Sequence, residues 1–295
     1  MPTPLPLPLL IPLGSAFFYA IAALCLKRAT QHGTGPWRVG FVTNWIQALC
    51  FLPVWWVGGG AFESAHLWHA MVCGVCFFTG QVLTFLALSR GDVSVTTPVL
   101  GTKVLFVAAI SVALGTERLT GSMWMAALLT TLATALLGFG SRLHRQALGS
   151  SFLFGFPAAG AFAFTDVLAQ RWAPAWGFGH FAPVLFGTVA ILSLGLIPLF
   201  PGPLSVVPWR WAGAGAALLA LQAGGVAYSI MVFGSATTTN VVYNSRGVWS
   251  VLMVWGIGHW FANHERAQGA AVMGRRFAGS VLLLAAIFLI MRGGG

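Results

Sequence analysis

Residues 93–114 read VSVTTPVLGTKVLFVAAISVAL, twenty-two residues with a single charge, Lys103. A second stretch, residues 236–261, reads ATTTNVVYNSRGVWSVLMVWGIGHWF and carries one formal charge, Arg246. About 20 mainly apolar residues suffice for a helix to cross the hydrocarbon layer of a bilayer. Both stretches are long enough, and each holds one cation near its middle. A charge at that depth costs about 2.5–3.5 kcal/mol on insertion scales, so it faces a cavity or a partner.

Working outward, the rest of the 295 residues has the same texture. Hydrophobic residues make up 58% and charged residues 7%, and the mean hydropathy is +0.85. An ordinary soluble domain carries roughly 25% charged residues to cover its surface. A bilayer removes that need, so the deficit predicts a membrane-embedded, all-α chain. Reading between the charges gives ten spans, near 7–26, 37–57, 67–88, 93–114, 119–140, 149–170, 179–200, 211–233, 236–261 and 270–291. The breaks are short, as at Gly58-Gly59-Gly60, Ser89-Arg90-Gly91-Asp92 and Pro201-Gly202-Pro203. The tenth span is the weakest, because Arg275 and Arg276 lie within it. The N-terminal MPTPLPLPLL lacks the basic start of a signal peptide and reads as a Pro-rich lead into the first helix.

Internal symmetry follows from an offset of 143 residues, Lys103 onto Arg246. The same offset sets Arg28 on Arg171, Trp68 on Trp211, Gly91 on Gly234 and Thr96 on Thr239. The register then slips by five, and Glu117-Arg118-x-x-Gly121 matches Glu265-Arg266-x-x-Gly269. The expected organisation is two five-helix repeats, 1–145 and 146–295. An odd number of spans per repeat inserts the second copy upside down, the inverted architecture of many secondary transporters. A duplicated but inert bundle is the alternative.

The formal net charge of +10 is dispersed over short loops rather than gathered into a patch. It points to topology and anionic lipid headgroups, not to nucleic acid. Cys73 and Cys76 form a C-x-x-C inside an apolar span with no second ligand pair, so packing is the simpler reading. His66 and His69 flank Trp68 without a carboxylate or thiol to complete a metal set. The thirteen Trp residues, among them Trp37, Trp55, Trp56, Trp172, Trp209 and Trp260, concentrate near span ends as interfacial belts do. No nucleotide loop or catalytic motif is present, and no cofactor or metal is expected. Glu117 and Glu265 sit at helix junctions and read as caps or loop salt bridges.

The candidate site gathers the rare polar groups. Thr239, Tyr243, Arg246 and Ser250 follow one another at spacings of 4, 3 and 4, a narrow polar stripe on a helix. Asn240 and Asn244 flank it. In the fourth span the matching stripe is Thr96, Leu100, Lys103 and Val107. Gln81, Asn44 and Gln222 add polarity in other spans, and Asp166 lies in the sixth. One reading makes Lys103, Arg246, Tyr243, Asn244, Thr239, Asn240, Asp166 and Gln81 the lining of a central cavity. Its positive potential would favour small organic solutes with a carboxylate or other anionic group. Asp166 would then be a proton-coupling group, since leaving water favours the protonated acid. The other reading is internal neutralisation, with Asp166 paired to Lys103 or Arg246.

The five-plus-five organisation, the stretch Ala87-Leu88-Ser89-Arg90-Gly91-Asp92-Val93-Ser94-Val95-Thr96-Thr97-Pro98, and the junctions Gly115-Thr116-Glu117-Arg118-Leu119-Thr120 and Asn263-His264-Glu265-Arg266 resemble the drug/metabolite transporter superfamily in its EamA-like ten-helix form. The resemblance implies that helices one to four and six to nine surround a substrate pathway. Helices five and ten are then peripheral and available for homodimer contacts. It implies a multi-pass protein of the bacterial inner (plasma) membrane that moves small metabolites or drugs by alternating access. Orientation is contested. Lys27, Arg28, Arg38, Arg90, Arg142, Arg145, Arg210 and Arg266 fall on one side, with Arg118, Arg171 and Arg292 on the other, which puts both termini outside. The family is usually described with both inside. A membrane-embedded enzyme acting on lipid is a poorer alternative, because five acidic residues are too few and too scattered. A non-transporting partner subunit is the third reading.

Overall fold

The structure, a computed structural model, describes residues 7–32, 34–56, 63–90, 93–138, 145–200, 208–257 and 270–293. The turns at 58–60, 91–92 and 201–203, Trp260 and the junction holding Glu265 lie outside these residues, as do Arg142 and the side chains of Arg145 and Arg276. The described residues form helices joined by short turns. They are α1 (Leu7–Gln31), α2 (Pro36–Phe51), α3 (Leu67–Arg90), α4 (Val93–Gly101), α5 (Lys103–Ala113) and α6 (Gly121–Gly138). Then follow α7 (Arg145–Trp176), α8 (Phe178–Leu192), α9 (Trp209–Phe233), α10 (Ala236–Tyr243), α11 (Arg246–Ile257) and α12 (Ala270–Gly293).

Among the described residues, seven helices are long and apolar enough to cross a membrane: Leu7–Thr30, Pro36–Trp56, Ser64–Arg90, Val95–Ala113, Gly149–Trp176, Phe178–Leu199 and Trp209–Phe233. Two shorter apolar helices, Gly121–Leu137 and Phe277–Arg292, fall on the fifth and tenth expected spans. The ninth expected span is divided into α10 and α11 by a turn at Asn244–Ser245. The fourth is divided at Thr102 into α4 and α5.

The outside of the bundle is apolar. Leu128 and Leu132 on α6, Leu153 on α7, Ile191 on α8, Leu221 on α9 and Leu284 on α12 are all exposed. Carried by helix after helix, such side chains suit lipid and not water. The inside is built from small residues. Ala16, Ala108, Ala126, Ala133 and Ala163 are fully buried, and small side chains let helix backbones approach closely where no hydrophobic effect drives them together. Gly74 shows such an approach against backbone as well as side chain. A methyl group there would come within 2.7 Å of Thr188 Cβ and 2.8 Å of the Leu185 carbonyl oxygen on α8.

The helix pairings fall into matching sets. α3 packs along α7, and α1 along α9. α3 also meets α8, and α2 meets α9. α5 lies on α7, while α10 and α11 lie on α1. α2 crosses α8, and α6 crosses α12. The entries into α2 and α8 also match. Gly35 (φ 73°, ψ 150°) precedes the first and Gly177 (φ 82°, ψ 150°) the second, a backbone region open in practice only to glycine.

At one end of the bundle, hydrogen bonds tie the turn after α5 to the later helices. Arg171 on α7 donates to the Leu114 carbonyl at 3.2 Å. The Thr237 N–H of α10 donates to Glu117 Oε1 at 3.2 Å. Gln170 donates to the Gly234 carbonyl at 2.6 Å, joining α7 to the end of α9. Glu117 therefore caps a helix, as its junction position suggests, but the helix is α10 and not its own neighbour α6. Ser235, the N-cap of α10, supplies no side-chain bond, so Glu117 supplies it from a distant part of the chain.

Candidate functional site

Lys103 and Arg246 each begin a helix after a local tightening of the backbone. The Thr102 N–H bonds to the Val99 carbonyl, three residues back, at 3.1 Å. The Ser245 N–H bonds to the Val242 carbonyl at 3.0 Å. Phe106 N–H to Thr102 O and Trp249 N–H to Ser245 O then restart the α-helical pattern, both at 3.1 Å. All four pairs obey the offset that sets Lys103 on Arg246. A 3₁₀ turn inside a long helix often marks a functional hinge, and interrupted helices build the mid-depth sites of many transporters.

Both cations line a chamber of about 310 Å³, room for about ten waters at roughly 30 Å³ each. Of the candidate residues, Lys103, Arg246, Tyr243, Asn244, Asn240, Asp166 and Gln81 line it. Thr239 does not. It is buried, and its Oγ1 has no hydrogen-bond partner among the described residues. Ser250 lines a second cavity of about 440 Å³, together with Lys27, Leu88 and Thr97. Arg246, Tyr19, Asn244, Thr84 and Leu100 border both spaces, so the guanidinium stands where the chamber meets the second cavity. The stripe on the ninth span is thus shared between two cavities, because the turn at Asn244–Ser245 shifts the face that follows it.

The three charges divide unequally. Lys103 Nζ lies 2.7 Å from Asp166 Oδ2, and Asn240 Nδ2 donates to the same oxygen at 2.7 Å. Asp166 is neutralised in place, and its partner is Lys103 rather than Arg246. Arg246 has no carboxylate partner among the described residues. Its guanidinium lies 4.8 Å from the ring centres of both Tyr19 and Tyr243, and it donates to the Tyr243 hydroxyl at 3.2 Å. Two aromatic faces hold the cation without discharging it, each worth about 0.5–2 kcal/mol. The chamber keeps one uncompensated positive charge.

Several lining residues were not among the candidates. Tyr19 belongs to one of the few signals available, since the chain has only three tyrosines. Thr43 and Gln47 face the chamber from α2, and Phe77, Phe162 and Phe186 furnish apolar wall. A Thr and a Gln one turn apart in an apolar span could be noticed in the sequence. The phenylalanines could not, because 23 are spread through it. Asn44 and Gln81 exchange two amide hydrogen bonds of 3.0 Å, so Gln81 is engaged with α2 as well as facing the chamber. His66 stacks on His69 and reaches Glu63 at 3.2 Å, an arrangement at the start of α3 away from the chamber.

An apolar-faced helical bundle around a cationic chamber between interrupted helices defines a multi-pass integral membrane protein with a solute-sized internal space. Residues 7–139, a little under half of the chain, match the EamA-like transporter family; the match takes in the turn at 87–98 and the junction at 115–120, and it supports the class of membrane transporter in the drug/metabolite transporter superfamily. Among solved structures, one described only as the crystal structure of a protein superposes with a TM-score of 0.72. It is 19% identical and covers 96% of this chain and 95% of that one, a likeness of fold alone. No curated protein sequence matches.

Proposed function

We propose that the protein is a secondary transporter of small organic anions, carboxylates above all, working by alternating access in a bacterial inner (plasma) membrane. In this reading ten membrane helices form two inverted repeats, 1–145 and 146–295. The matched pairings of α3 with α7 and α1 with α9 support it, as do the twin turns before Lys103 and Arg246. The observation that carries the substrate reading is Arg246. It is a cation at a chamber wall, stacked between two tyrosines and lacking a carboxylate among the described residues. A guanidinium so placed would take a carboxylate bidentately.

Lys103 and Asp166 enter this scheme together. Asp166, the carboxylate of that ion pair at the chamber wall, is the candidate for coupling solute to protons.

The test is uptake into proteoliposomes of a labelled panel of monocarboxylates, amino acids and neutral solutes. Wild type and Arg246→Lys should accumulate a monocarboxylate, the Lys variant more slowly, and Arg246→Ala should not. Equal uptake by Arg246→Ala and wild type would overturn the substrate reading.

A further inference from the structure

Thr43 and Gln47 are both buried, at 5% and 4% exposure, yet Thr43 Oγ1 and Gln47 Oε1 have no hydrogen-bond partner among the described residues. Both residues line the same chamber as Arg246. A buried polar atom left unpaired costs about 1–3 kcal/mol and in a native protein calls for a reason. The neighbouring amide shows what satisfaction looks like. Asn44 on the same helix is closed off by its two bonds to Gln81. Thr43 and Gln47, one turn apart and so on one face of α2, border the chamber with these oxygens unpaired. We propose that they form a second recognition pole, taking a neutral hydrogen-bond donor on the same solute whose carboxylate meets Arg246.

The two poles stand on different walls. α2 packs against α8 and α9, whereas α11, which begins at Arg246, packs against α1. Phe77, Phe162 and Phe186 add apolar surface to the same chamber. The charge count narrows the class further. Lys103 and Asp166 cancel, so the chamber balances one negative charge. A free amino acid would bring an ammonium group to a space whose one carboxylate already holds Lys103 and Asn240. A dicarboxylate would exceed the positive charge present. The solute class is therefore hydroxy- or amido-monocarboxylates with an apolar body. This rests on the carboxylate reading of Arg246 and adds to it the donor at the other end.

Four matched probes test it on the purified full chain by competition binding: 3-phenylpropionate, 3-(4-hydroxyphenyl)propionate and 3-(4-acetamidophenyl)propionate, whose donors lie at the far end of the ring from the carboxylate, and phenylalanine. Wild type should prefer 3-(4-hydroxyphenyl)propionate to phenylpropionate by roughly fivefold, the worth of one net hydrogen bond of about 1 kcal/mol, and should bind phenylalanine worst. Gln47→Leu or the near-isosteric Thr43→Val should bring the ratio of the first two toward one. An unchanged ratio in both variants, or a wild-type ratio of one, overturns the second pole. Phenylalanine as the tightest probe overturns it too. The carboxylate reading fails separately, if Arg246→Ala binds phenylpropionate as wild type does.

Discussion

Replacing Lys103 by Met removes one half of the ion pair with Asp166 while keeping an unbranched side chain of similar reach. At 2.7 Å the pair attracts by about 6 kcal/mol at an effective dielectric of about 20. The desolvation of two ions offsets most of that. The side chains keep 21% and 12% of their exposure, so chamber water softens both terms. What the substitution leaves behind matters more: a carboxylate with only the Asn240 amide beside it. Stranding one member of a buried pair costs about 3–5 kcal/mol, and water in the chamber puts the expected loss near the lower end, about 3 kcal/mol. Asp166→Leu strands Lys103 and should lose about as much. The double variant strands nothing and should be no worse than either single one, giving a coupling energy of about 3 kcal/mol, the upper end for residues in contact. Equilibrium unfolding in mixed micelles, followed by tryptophan fluorescence, measures all four corners of the cycle. If the double variant loses about 6 kcal/mol, the sum of the two, the pair is not the unit described here.

Gly177→Ala forces a Cβ into φ 82°, ψ 150° and should lower stability by about 1–3 kcal/mol in the same unfolding assay, with Gly160→Ala on α7, where the added methyl meets nothing, as the mild control. Gly74→Val drives a branched side chain into the Leu185 carbonyl and Thr188; a loss of about 1–3 kcal/mol is expected, and restored stability in Gly74→Val with Thr188→Ala would show that the side chain and not the backbone is the obstacle. Glu117→Ala removes the bond to the Thr237 N–H. A cap is worth about 1 kcal/mol, so hydrogen exchange at that amide should quicken by about fivefold while Glu117→Gln, which keeps an acceptor, changes it less.

Much of this architecture was legible because a bilayer is a strict solvent. A run such as 93–114 with Lys103 as its sole charge admits few folds, and the equivalence of Lys103 with Arg246 emerged from the offset alone. The splits in these spans were not legible. Thr102 and Ser245 are ordinary helix residues, and the three-residue hydrogen bonds before them arise from packing. Pairing was equally hidden: composition permits Asp166 to meet either cation, and only the approach of α5 to α7 selects Lys103. Thr239 shows the limit of periodicity. Tyr243 and Arg246 on the stripe line the chamber, whereas Thr239, which heads it, is buried away from it. Glu117 was recognisable as a cap, while the helix it caps lies more than a hundred residues along the chain.

The ties at Leu114, Glu117 and Gly234 give the bundle a shut end, and the cavity beside Lys27 and Ser250 gives it a hollow one. If the protein transports as proposed, a solute arriving from the hollow side would meet Arg246 before anything else charged in the chamber. To leave by the far side it would need three hydrogen bonds to part, two of them on backbone carbonyls. Passage would then be asymmetric in effort: entering would be a matter of diffusion and charge, whereas departing would wait on an unfastening at the shut end.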